Sequence, residues 1–167
     1  MSMFDREQIL KMIPHAGSMC LLDEVLDWDE ASLRCLSRRY RDKDNPMRRA
    51  NGVLGSACGI EIAGQAVAVH SRLLAESKGE PPRGYLVSLR DVKWASGRLD
   101  AVDDDLVVDA RRIVGDAVSA TYQFTLAVRE MILLGGRVTV LLNAAQEGLG
   151  PRDRAIASRN PATRSVG

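Results

Sequence analysis

The chain predicts an α+β fold in which one long, buried helix lies against one large antiparallel sheet. Three observations carry this. Residues 56–77 form a single stretch of helical length that is apolar nearly all round, so its surroundings must cover it on most sides. Period-two alternation then dominates from residue 85 to 142. Finally, the strands come in runs, two before the helix and the rest after it, without the strand-helix alternation of a parallel sheet.

The elements follow in order. Residues 5–12 read as a short amphipathic helix with Asp5 as its cap and Ile9 and Met12 facing inward; Pro14 stops it. Met19 to Trp28 is strand-like, Asp27 to Glu30 turns, and Ser32 to Tyr40 is a second strand. Residues 41–52 are polar and full of turn formers, hence a loop. The long helix spans Ser56 to about Ser77, with Ala57, Gly59, Ala63, Gly64 and Ala66 small enough for close backbone approach. Mid-helix Gly64 costs about 1 kcal/mol against Ala, which points to tight packing there.

After the break at Gly79-Glu-Pro-Pro-Arg-Gly84, Tyr85, Val87 and Leu89 alternate with their neighbours, and Leu106, Val108 and Ala110 do the same beyond the acidic turn at Asp103-Asp-Asp105. Between 118 and 128, Val118, Ala120, Tyr122, Phe124, Leu126 and Val128 make one face, opposite Ser119, Thr121, Gln123 and Thr125. A last strand covers 131–142, interrupted at Gly135-Gly136. A curved sheet wrapped round the long helix would cover every side of it, which is the hotdog arrangement. Residues 1–142 therefore make a single hotdog domain. Residues 143–167, rich in Arg, Pro, Gly, Ser and Asn, read as a disordered tail.

Composition narrows the function classes. The 167 residues carry a formal net charge of +1 and only 4% aromatics, so neither bulk charge nor a stacking platform argues for nucleic acid. Cys20, Cys35 and Cys58 are odd in number and far apart, which supports neither a disulfide framework nor a zinc site. Reduced thiols and an opening without a signal-peptide pattern lead us to expect a cytoplasmic protein. The run 53–69 contains Glu61 and Gln65 and is mostly Ala and Gly, so no membrane span is expected. No nucleotide or metal motif is present, and no cofactor is expected.

Chemistry concentrates on few residues. Glu61 lies amid aliphatic neighbours, and a carboxyl buried there would hold a proton that it could give to a leaving group. Gln65, four residues on, shares its helix face and could bind the carboxyl or a ligand. His15 lies in a loop before the first long strand and is a candidate general base. His70, nine residues past Glu61, falls on the opposite side of the helix and reads as a polar residue at a rim.

Two segments carry a resemblance. Ile13-Pro-His-Ala-Gly-Ser-Met-Cys-Leu-Leu-Asp-Glu-Val25 resembles the opening segment of the FabA/FabZ-type 3-hydroxyacyl-acyl-carrier-protein dehydratases, and Gly59-Ile-Glu-Ile-Ala-Gly-Gln-Ala66 is similar to their helix motif. The forms Pro-His-Ala-Gly-x-Met and Gly-Ile-Glu look closest to the divergent dehydratase-like branch of aryl polyene-type clusters. Those enzymes keep their catalytic His in a Gly-His-Phe-Pro-Gly loop before the helix, where this chain has Asp44-Asn-Pro-Met-Arg-Arg49. Glu61 matches the catalytic acid position, whereas His15 as base is an expectation drawn from its place alone.

The resemblance implies a 3-hydroxyacyl thioester on an acyl carrier protein, dehydrated to the trans-2-enoyl thioester in fatty acid or polyene biosynthesis. Backbone amides near Ser56 and Ala57, at the positive helix end, would polarise the thioester carbonyl. Arg48 and Arg49 could dock the acidic carrier. A homodimer is expected, or a heterodimer with a second hotdog subunit. The alternatives are a non-catalytic partner subunit of an active dehydratase and an acyl-thioesterase on the same fold.

Overall fold

The structure is a computed structural model that describes residues 1–77, 84–101 and 103–142. The expected C-terminal tail lies outside the described residues.

Helix α1 (Arg6–Met12) starts where the sequence predicts. The Asp5 carboxylate accepts from the Gln8 amide at 3.0 Å, and Gln8 Oε1 accepts from the Asp5 amide at 2.9 Å. This reciprocal cap satisfies two of the donors left over at a helix start. Ile9 is fully buried beneath it.

Both early strands are shorter than expected, because side chains intercept their backbone. Strand β2 is Glu24–Trp28, preceded by a 3-10 turn at Gly17–Met19, and residues 19–22 bond to Gln65, Arg6 and Ser37 instead of a ladder. Strand β3 (Ser32–Ser37) stops where the Asp23 carboxylate accepts from the Arg38 and Arg39 amides at 2.6 and 3.1 Å. That capture turns the chain into a 3-10 turn at Arg39–Arg41. A two-residue strand, β1 (Phe4–Asp5), pairs with β2 and was not visible in the residue pattern.

Helix α2 (Cys58–Ser77) is followed by β4 (Gly84–Trp94), β5 (Leu106–Gly115), β6 (Ser119–Val128) and β7 (Met131–Leu142). β7 runs unbroken through Gly135 and Gly136, which pair with Thr125 and Phe124. The seven strands form one sheet in the order β1-β2-β3-β5-β6-β7-β4, antiparallel at every step.

On β6, Ala120, Tyr122, Phe124, Leu126 and Val128 are buried, as the alternation predicts; Val118 precedes the strand and is exposed. They pack with Ile62, Ala66, Val67 and Val69 of α2 in one core. The helix comes close to the sheet at Gly59, where a Cβ would lie 2.6 Å from a Leu134 methyl. A curved antiparallel sheet wrapped round one long helix is the hotdog fold. No helix among the described residues is long and apolar enough to cross a membrane.

Candidate functional site

The α1–β2 loop and the first turns of α2 bring His15, Glu61 and Gln65 together. His15 Nε2 lies 2.7 Å from Glu61 Oε1, an ion-pair distance within one subunit. Gln65, on the same helix face, donates from Nε2 to that same oxygen at 3.1 Å. Gln65 is fully buried, and its remaining capacity goes to the loop: Nε2 donates to Met19 O at 2.7 Å, and Oε1 accepts from the Leu21 amide at 2.9 Å. These two bonds fix which end of the amide is nitrogen, so an N–H always faces Glu61. The structure therefore ties Gln65 to the carboxyl and the loop, with both N–H donors of its amide committed there.

Glu61 is not the insulated acid that its apolar neighbours suggest. Its side chain is 34% exposed and that of His15 27%. The aliphatic residues beside it in sequence, such as Ile62 and Ala63, point to other sides of the helix and are buried there. Contact with His15 and Gln65, rather than a greasy pocket, defines its surroundings.

Sequence reasoning missed Arg6. From α1, its guanidinium donates to Gly17 O at 2.8 Å, Cys20 O at 2.5 Å and Leu22 O at 3.2 Å. Gln65 grips the same loop from α2, so the segment after His15 is held from both helices. Gly17, with φ of +55°, makes the left-handed turn that the loop requires. Nothing in the spacing of an exposed-helix arginine signals such a role.

At the start of α2 the expectations divide. The Ser56 amide donates to Gly97 O at 3.2 Å and its hydroxyl to Ser96 O, so Ser56 has no donor left for a thioester carbonyl. Ala57 is exposed, and its amide has no partner among the described residues. Arg48 is corrected as well. It is 14% exposed and spends its guanidinium on Asp100 at 2.8 Å and on the carbonyls of Arg41, Asp42 and Gly52. Such an arginine braces the 41–52 loop and cannot greet a carrier protein. Arg49 is exposed, lies over Gly55, and has no carboxylate partner among the described residues.

His70 is the other correction. It does not sit at a rim but is wholly buried, with Nε2 2.8 Å from Asp29 O and Nδ1 2.9 Å from the Tyr122 hydroxyl. The carbonyl can only accept, so Nε2 carries the proton and Nδ1 accepts from Tyr122. Burial, outweighing the bond to Asp29 O, pushes the His70 pKa down. Burial likewise raises the thiols of Cys20, Cys35 and Cys58, so none is a ready thiolate. A groove of about 500 Å³ lies over β4, β6 and β7, lined by Trp94, Gln123, Thr125 and Arg137 among others, and includes none of the His15, Glu61 and Gln65 group.

Fold and site together define a hotdog protein with a His and a Glu paired inside one subunit. The family model described as ApeP-like, ApeP dehydratase, matches residues 7–149, and the chain belongs to that family. Among solved structures, the chain resembles the dehydratase heterocomplex ApeI:P from Xenorhabdus doucetiae, with a TM-score of 0.74 and 18% identity over 90% of this chain and 97% of that one. A mutant thioesterase from Pseudomonas aeruginosa follows, with a TM-score of 0.61 and 14% identity over 84% and 94%. A thioesterase from Haemophilus influenzae has a TM-score of 0.59 and 12% identity over 87% and 96%. At these identities the likeness shows the fold. No curated protein matches the chain.

Proposed function

We propose that this chain is one hotdog subunit of a two-chain dehydratase that converts 3-hydroxyacyl thioesters to trans-2-enoyl thioesters, and that it brings its own catalytic carboxyl, Glu61, paired with His15. The observation that carries this is the 2.7 Å contact between His15 and Glu61, in a chain of the ApeP dehydratase family. The heterocomplex it resembles supports a second hotdog subunit as the partner. The substrate arm would reach the amide of Ala57, which has no partner among the described residues, where the helix start favours negative charge on the thioester oxygen. That stabilisation eases loss of the C2 proton to Glu61, and the C3 hydroxyl leaves as water. Arg49 remains to attract an acidic carrier.

A non-catalytic partner subunit is the second reading. The segment that replaces the usual His loop favours it, because Arg48 there serves structure alone. The test is enoyl absorbance and free-thiol release from a 3-hydroxyacyl thioester, measured for the chain alone and mixed with a second hotdog chain. Enoyl formation by the mixture supports the proposal. Thiol release would assign a thioesterase instead, and neither signal in the mixture would refute the dehydratase.

A further inference from the structure

The paired residues are not equivalent, and their free atoms show which one can meet a substrate. His15 Nδ1 is shut off from solvent and has no partner among the described residues. Its Nε2 is occupied by Glu61. Glu61 Oε1 in turn receives both His15 Nε2 and the Gln65 amide. Glu61 Oε2 is neither buried nor bonded among the described residues.

The proton positions follow. A nitrogen and an oxygen 2.7 Å apart must have a proton between them. If it belonged to Glu61, neutral His15 would carry its own proton on Nδ1, a buried donor without an acceptor. That arrangement costs about 1–3 kcal/mol. An imidazolium would incur the same cost. With the proton on Nε2, Nδ1 is a bare acceptor, and folded proteins leave buried acceptors under-satisfied more often than they orphan a buried N–H; Oε1 is then a carboxylate oxygen that suits two donors.

We infer that Glu61 alone is the catalytic residue of this subunit, acting through Oε2 as a base, and that His15 is a positioning residue. This rests on the dehydratase reading and departs from the sequence expectation that His15 abstracts and Glu61 donates. Oε2 takes the C2 proton, and the C2–H electron pair becomes the C2–C3 double bond. As the C3–O bond breaks, the departing oxygen takes the proton back from Oε2 and leaves as water. Nothing else is consumed.

The test has two arms. Imidazole nitrogen NMR of the chain alone should show His15 as the Nε2–H tautomer at pH 7; His15→Gln assigns the spectrum, because only His70 then remains. An Nδ1–H tautomer or an imidazolium overturns the inference whatever the activity. In the enoyl assay with the second chain, His15→Gln, which can still present an amide N–H, should keep activity within about tenfold. A base would lose about 10²–10⁴-fold on that change, and such a loss overturns the inference. If Glu61→Gln leaves the rate unchanged, the catalytic reading itself has failed, a result separate from either His15 outcome.

Discussion

Gln65 and His15 meet on a single oxygen, with the amide of one and the imidazole of the other 3.1 and 2.7 Å from Glu61 Oε1. The loop carrying His15 and the helix carrying Glu61 are thus joined by the same buried amide that orients the carboxyl.

Replacing that amide should therefore damage stability as well as the site. Gln65→Leu strands the buried Leu21 amide, at about 1–3 kcal/mol, and the half-buried Met19 O, at about 1 kcal/mol, the low end of that range. We expect a total loss of about 2–4 kcal/mol by urea denaturation. A loss under 0.5 kcal/mol, roughly the range of a neutral surface change, would show that the clamp is dispensable.

Arg6→Met removes three charge-assisted bonds to loop carbonyls. Bonds to charged groups contribute about 1.5–3 kcal/mol, less where solvent screens them, so a loss of about 1–3 kcal/mol is expected. Amide hydrogen exchange at residues 17–22 should quicken selectively. Uniform protection across that segment in the variant would contradict the clamp.

His70 predicts a pH dependence. Its folded pKa lies below the unfolded value of 6.5, so below that pH the unfolded chain binds a proton that the folded chain refuses. The contribution is complete above the unfolded pKa and is lost as pH falls from there towards the folded one. The stability gap between the wild type and His70→Phe should thus narrow between about pH 7.5 and about pH 5. A constant gap across that window would mean that His70 does not titrate differently on folding.

Gly59→Ala sets two effects against each other. The helix gains up to about 1 kcal/mol from the better helix former. The new methyl, 2.6 Å from one Leu134 methyl and 3.0 Å from one of Leu126, forces repacking at about 1–3 kcal/mol. Net destabilisation of about 1 kcal/mol should appear as a lower Tm; a higher Tm would show that the two leucines yield freely.

Much of the fold was legible because burial writes itself into periodicity. The alternation from Ala120 to Val128 located β6, and the apolar run before Ser77 located α2. That Glu61 and Gln65 share one helix face was legible from spacing, though not that Gln65 bonds the carboxyl. What failed depended on contacts distant in sequence. His70 looked peripheral because nothing local announces Tyr122 and Asp29 O as its partners. Arg48 looked like a docking charge because its partner, Asp100, arrives from beyond α2. Glu61 looked insulated because residues adjacent in a helix face different ways. The strand ends were misjudged where Asp23 and Gln65 captured the backbone first.

The most direct measurement is the enoyl-formation rate of the two-chain mixture with wild-type chain and with Glu61→Gln, alongside a melting curve to confirm that both are folded. The account predicts a fall of about 10²-fold or more with the variant, the loss expected when a general base is removed. A folded variant that supports the wild-type rate would contradict it and leave this chain a partner whose pair takes no part in the chemistry.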